Sequence, residues 1–216
     1  MAVLPMFPLG SVLLPGAVLP LHVFEPRYRA LVADCLESDE HEFGVLLIER
    51  GSEVGGGDHR TMVGTVARMM QVAELEDGRY AVICVGTRRI RVNAWLPDDP
   101  YPLADVDDWP DDEAQVSELA DRIGVTTGRV RRACALANEL GDSTADPSAD
   151  ISDDPVLATY HLAALAPIGP ADAQAMLSAP GPLARLDLLD ALLDDVEVIL
   201  RFRLDDPESG LSIDEM

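Results

Sequence analysis

With 216 residues, 48% hydrophobic and 25% charged, the chain is long enough for one large domain or two small ones around a real apolar core. Its net charge of −23 repels nucleic-acid phosphate and anionic membrane, so either partner needs a local basic patch against the global field. All 16 basic residues are arginine, which excludes a P-loop lysine, a Schiff-base lysine and a Ser–Lys dyad within these residues.

Residues 3–24 read as two or three short strands, VLPMFPL, SVLLPG and AVLPLHVF. Pro5, Pro8, Pro15 and Pro20 cannot donate to a ladder, which predicts edge strands or strands entered through bends. At Glu25-Pro26 the chain turns into a helix. Proline suits the first helical position, and glutamate places negative charge at the positive helix end. Tyr28, Leu31, Val32, Cys35 and Leu36 then fall at i, i+3, i+4, i+7 and i+8, a single apolar stripe. A polar link over 37–42 leads into FGVLLIE, a run of strand length. GSEVGGGDHR has the glycines of a phosphate cradle but no following lysine or capped helix, so it reads as a flexible hairpin loop.

Thr61–Leu75 alternates as one long strand bent at Gly64, and Glu76-Asp77-Gly78 is a hairpin turn. RYAVICVGTRRIRVNAWL reads as two strands divided at Gly86-Thr87. In the second, Arg89, Arg91 and Asn93 form a wet face opposite Ile90, Val92 and Ala94. PYPLADVDDW supplies a last short strand. Six or more strands with one embedded helix and no βαβ rhythm imply a closed or nearly closed mixed barrel.

The composition then shifts. Asp98–Asp121 carries ten acidic residues and no basic one. Beyond it, helices are expected over Glu113–Ile123 and Thr126–Leu140, with Thr126 as N-cap and Gly141 just past the end. Further helices are expected over Pro155–Ala166, Pro170–Ala179 and Leu183–Leu204. Leu186, Leu189, Leu193, Val196 and Leu200 mark the buried stripe of the last one. The domain expectation is a β-barrel subdomain over 1–110 and a helical-bundle subdomain over 111–216.

Taken together, FPLGSVLLPGAVLPLHVFEPRYRALVADCL, FGVLLIERGSEVGGG, VGTVARMMQVAELEDGRYAVICVGTRRIRV and PYPLADV resemble the N-terminal substrate-binding domain of the Lon proteases, with HVFEPRYR the most specific phrase. The resemblance extends to the stand-alone Lon-substrate-binding-domain proteins of bacteria. It covers roughly residues 3–108 strongly, and the helical remainder by layout. It implies an α+β fold, a PUA-like β pseudobarrel with one embedded helix followed by a C-terminal helical bundle. It also implies recognition of unfolded or tagged protein, and a contribution to hexamer assembly. The ATPase and protease parts of full-length Lon are not among these residues, so no enzyme activity is expected.

For chemistry of other kinds the sequence offers little. Cys35, Cys84 and Cys134 are widely spaced in apolar contexts and read as reduced core thiols, not a disulfide framework or a metal site. Cys84 with His22 or His59 has no local sequence that supports a nucleophile. His22, His41, His59 and His161 form no zinc pattern, and Asp105-Val106-Asp107-Asp108 lacks the spacing of a calcium loop, so neither metal nor cofactor is expected. The N-terminus lacks a signal peptide and no apolar run is long enough to span a membrane, which predicts a cytoplasmic protein with no membrane partner.

The candidate polypeptide-binding surface is the proline-interrupted N-terminal edge: Phe7, Leu9, Leu13, Leu14 and Leu19, joined by His22, Phe24, Glu25 and Arg27. Each apolar member has an equal claim to be barrel core. Glu25 and Arg27 also suit a purely structural role at the helix entry, and His22 that of a satisfied strand residue. The expected function is non-catalytic capture of unfolded or extended clients at the barrel edge and a barrel–bundle cleft, or an adaptor role toward an unidentified protein partner. The reading from another class is RNA or DNA binding through Arg129, Arg131 and Arg132. Against it, these arginines are expected to pair with the acidic stretch Asp98–Asp121.

Overall fold

The structure is a computed structural model that describes residues 2–50, 59–142 and 145–205. It divides into two compact units between Pro110 and Asp111. The glycine-rich stretch expected to be a hairpin loop lies almost wholly outside the described residues.

The first unit holds β1 (Ala2–Leu9), β2 (Val18–Val23), α1 (Pro26–Glu37), β3 (Glu42–Arg50), β4 (His59–Glu74), β5 (Tyr80–Leu96) and β6 (Leu103–Asp108). The strand order is β2-β5-β4-β3-β1-β6, and β6 also pairs with β5. Five strands therefore close into a hydrogen-bonded ring, and β2 hangs on its outside, bonded among the described residues to β5 alone. Among the described strands only β1 and β3 run parallel.

Prolines shape β1 in a way the sequence half anticipates. Ala2–Pro5 pairs with β6 and Met6–Leu9 with β3, so each half has one ladder and Pro5 and Pro8 are tolerated. β1 is thus a staggered member of the ring, not a free edge. The expected middle strand SVLLPG is an irregular loop in which Leu13 and Leu14 are buried and Gly16 turns the chain at φ 82°. Downstream, β5 runs unbroken through Gly86, where two strands are expected. Glycine is required there because a Cβ would sit closer than 3.0 Å to the Leu14 carbonyl oxygen. The hairpin turn at Gly78 is as expected, with φ 73°.

Two apolar clusters fill this unit. One draws, among the described residues, on the five ring strands alone (Leu4, Met6, Leu46, Val66, Ile90, Val106 and neighbours), which places it inside the ring. The other lies outside the wall, where Tyr28, Leu31, Val32 and Cys35 of α1 cover Phe43, Val45, Val82 and Cys84. Leu36, expected in the α1 stripe, is exposed: eight residues past Tyr28 it is rotated about 80° from it, at the rim of the face. Arg89, expected on a wet face, is buried instead. It lies 4.4 Å above the Trp109 ring and donates to the carbonyls of Trp109 and Pro110, so the end of this unit covers that part of β5.

The second unit comprises α2 (Val116–Glu139), α3 (Pro155–Leu165), α4 (Pro170–Ser178) and α5 (Pro182–Asp205). One continuous α2 replaces the two helices expected. Thr126 is not a cap; its buried hydroxyl donates to the Asp190 carboxylate on α5. Gly141 does follow the helix end, at φ 82°. Asp154 caps α3 by accepting from the N–H groups of Val156 and Leu157, ahead of Pro155. The leucine stripe of α5 is buried as expected.

Arginine and carboxylate side chains lace α2 to α5. Arg122 pairs with Asp187 and Asp190, Arg129 with Asp190 and Asp194, and Arg132 approaches Glu197 at 3.9 Å. Of the arginines expected to pair with Asp98–Asp121, Arg129 and Arg132 therefore face α5 carboxylates instead, and Arg131 makes no ion pair among the described residues. No helix among the described residues is long and apolar enough to cross a membrane.

All three cysteines are buried and free. Burial pushes the Cys35 and Cys84 thiols up to about 12, and raises Cys134 as well. In the folded protein at about pH 8 none should react with a thiol reagent, because the thiolate is the reactive form. After denaturation all three should titrate; fast labelling of the native protein would contradict this packing.

Candidate functional site

The site is built around β2, which among the described residues pairs on one side alone. Along it exposure alternates. Leu19, Leu21 and Val23 turn toward the cluster under α1, while Val18, Pro20 and His22 face out. Its hydrogen bonds to β5 run from Val18↔Val85 to Val23↔Tyr80, so the opposite side of the strand can accept another.

Two concavities adjoin this edge, and Pro20, Leu21 and His22 line both. One, a groove of about 200 Å³, is also lined by Phe7, Leu9, Phe24 and Tyr28. Phe7 stacks on Tyr28 with ring centroids 4.1 Å apart, which makes a rigid aromatic wall. Phe24, just past the strand, is 57% exposed beside it. The other is a shallow saddle of about 530 Å³ that extends over Gln71, Ala73, Ala81 and Ile83.

The polar residues at the rim are committed to one another. Arg27 Nε donates to Glu25 Oε2 at 3.1 Å, and the Arg27 guanidinium lies 4.4 Å over the Tyr28 ring. Glu25 precedes α1 with extended backbone but its side chain makes no cap hydrogen bond. The pair holds the helix entry and flanks the groove.

Of the residues singled out from sequence, the groove brings together Phe7, Leu9, His22, Phe24 and Glu25. Phe7 and Leu9 are mostly buried lining, not an open edge. Leu13 and Leu14 are buried in the loop that backs Gly86 and do not reach the groove, and Leu19 packs into the cluster under α1. Sequence reasoning missed Leu21, Tyr28, Gln71 and Ile83. The period-2 pattern of LPLHV flags Leu21, but nothing local ties Gln71 or Ile83 to β2. Among the described residues no three His, Cys, Asp or Glu side chains are placed to hold a metal ion. The arrangement suits main-chain strand addition with apolar side-chain pockets, and presents no nucleophile–base pair.

Residues 3–195 match the ATP-dependent protease La (LON) substrate-binding domain. The chain is 30% identical over 212 residues to Lon protease 2 of Myxococcus xanthus, covering 92% of this chain and 24% of that protein. It is 36% identical over 126 residues to Lon protease of Anaeromyxobacter dehalogenans, covering 55% of this chain and 15% of that protein. It thus spans a quarter or less of these relatives' length. Among solved structures, a Lon N-terminal domain protein from Xanthomonas campestris superposes with a TM-score of 0.64 at 30% identity, covering 88% of this chain and 98% of that one. The N-terminal domain of the Mycobacterium avium complex Lon protease shares the fold alone, with a TM-score of 0.61 at 19% identity over 90% of this chain and 99% of that one. With its six-stranded mixed sheet and five helices, this α+β chain belongs to the Lon substrate-binding domain family.

Proposed function

We propose that the chain is a polypeptide-binding module without a catalytic step of its own, which captures extended apolar segments by strand addition to β2, alone or as an adaptor. The observation that carries this reading is the side of β2 left unpaired among the described residues, beside the aromatic groove of Phe7, Phe24 and Tyr28. Membership of a substrate-binding domain family supports it. On this reading the closed ring with its embedded helix is a PUA-like pseudobarrel, and the four helices after it form a bundle. The unit boundary between Pro110 and Asp111 is the domain boundary.

The mechanism follows from sheet chemistry. A client in extended conformation hydrogen-bonds its backbone to β2, so affinity depends little on sequence. Successive client side chains point alternately below and above the strand. One set enters the aromatic groove, and the other lies on the saddle by Gln71 and Ile83. Phe24 and the stacked Phe7–Tyr28 pair supply the apolar contact; His22, Leu9, Leu21 and the Glu25–Arg27 pair shape the rim. Leu13, Leu14 and Leu19 hold the strand in place from within. The acidity of the chain disfavours acidic clients and favours basic ones.

Fluorescence anisotropy of a labelled, permanently unfolded polypeptide tests this, run beside labelled single-stranded RNA at two salt concentrations. Saturable polypeptide binding with mild salt dependence is expected. Phe24→Glu, at an exposed position, should weaken it about tenfold with no loss of fold. RNA binding alone, falling steeply with salt, would overturn the proposal.

A further inference from the structure

The outward face of α2 is built so that it complements itself. Ser117, Asp121, Gly124, Gly128, Arg131 and Ala135 are all exposed and recur at spacings of 4, 3, 4, 3 and 4 residues, the seam of a helix made to meet another helix. The sequence of side chains is antisymmetric about the level of residue 126. Turned end for end, the same seam sets Ser117 opposite Ala135, Asp121 opposite Arg131 and Gly124 opposite Gly128.

Three further observations single out this face. Arg122, Arg129 and Arg132 on the same helix all approach carboxylates of α5, whereas Asp121 and Arg131 have no side-chain hydrogen bond or ion pair among the described residues. Gly124 and Gly128 sit in the middle of a 24-residue helix, which glycine weakens relative to alanine. A Cβ at either would meet nothing within 4 Å, so the packing of the chain itself does not require glycine there. Beside the crossing, Val125 is 67% exposed.

We infer that this face pairs antiparallel with the same face of a second copy of the chain. The two glycine pairs let the backbones approach at the crossing, with the Val125 side chains closing over it. Two symmetric Asp121–Arg131 ion pairs flank the crossing, each about 7.5 Å along the axis from its centre. A parallel arrangement sets Asp121 against Asp121 and Arg131 against Arg131, so charge selects the antiparallel one. Two chains of −23 repel over long range, and physiological salt screens that repulsion to about 8 Å while leaving contact pairs in place. The contact is small, so the dimer is weak and concentration-dependent. The inference stands apart from polypeptide binding at β2.

Sedimentation equilibrium of the full chain at physiological salt tests it. A monomer–dimer equilibrium is expected for the wild type. Asp121→Arg alone and Arg131→Asp alone should each weaken dimerisation about tenfold or more, by setting like charges in contact. Combining the two reversals in one chain should restore wild-type self-association, since the pairs re-form with exchanged signs. Gly128→Leu should abolish association while circular dichroism stays unchanged. A wild type that stays monomeric up to about 1 mM leaves the face to some other partner and overturns the inference. So do single reversals that leave the dimer intact, or a double reversal that fails to recover it.

Discussion

Replacing Arg185 with leucine should cost about 3–5 kcal/mol in urea-unfolding measurements, a large share of the 5–15 kcal/mol typical of a domain. Arg185 is 0% exposed on α5, yet no donor nitrogen of its guanidinium is wasted. Nε donates to the Met176 carbonyl at 3.1 Å, Nη1 to the Thr159 hydroxyl at 2.7 Å, and Nη2 to Asp111 Oδ1 at 2.6 Å. Its Cζ lies 3.5 Å from the Tyr160 ring centroid, and the Tyr160 hydroxyl donates to the same Asp111 carboxylate. Leucine removes the charge that compensates Asp111 and leaves a buried hydroxyl and carbonyl without their donor. Lysine keeps the charge but cannot reach in three directions from one plane, so Arg185→Lys should recover only part of the loss. A loss under about 1 kcal/mol for leucine would mean that water reaches these partners without cost, and that the arginine is not the anchor of this unit.

Arg185 also shows where sequence reading stops. In DLLDALLDDVEVIL the spacing of leucines names the buried face of α5, and the same periodicity names that of α1; period alone is enough for a helix laid on a core. Arg185 itself reads as one more polar residue between leucines. Its partners Asp111, Thr159 and Met176 lie 74, 26 and 9 residues away, and no local pattern links them. The continuity of α2 failed to show for a related reason. Thr126 reads locally as the N-cap of a second helix, but the Asp190 carboxylate on α5 occupies its hydroxyl and the helix runs on. In the sheet, prolines correctly marked strands with one ladder, yet which side stays open is decided by pairing. β6 returns to cover the first half of β1, and the open edge passes to β2. Hence the candidate residues Phe7 and Leu9 became groove lining, while Phe24 kept its exposure.

Gly86→Ala should destabilise the first unit by about 2–3 kcal/mol and weaken polypeptide binding in the same protein. From sequence this glycine reads as a turn; its conformation is strand, and the constraint is steric. The Gly86 N–H donates to the Ala17 carbonyl, and its own carbonyl accepts from the Gly16 N–H, at 2.9 and 2.8 Å. These bonds dock the 11–17 loop flat on β5, with the Leu14 carbonyl oxygen where a Cβ would lie and Leu13 Cγ at 3.2 Å from it. Backbone cannot swing aside as a side chain can, so the methyl group must displace the loop that feeds β2. Gly44→Ala is the matched comparison. Its Cβ would meet Met6 Sδ and Cε, the far end of a flexible side chain, at 2.6 and 2.5 Å, so it should cost about 1 kcal/mol and leave binding intact. Urea unfolding and anisotropy on both variants separate the cases. Equal losses of stability would refute the backbone argument. Wild-type affinity in a destabilised Gly86→Ala protein would show that the position of β2 does not govern capture, and would shift the binding surface away from this edge.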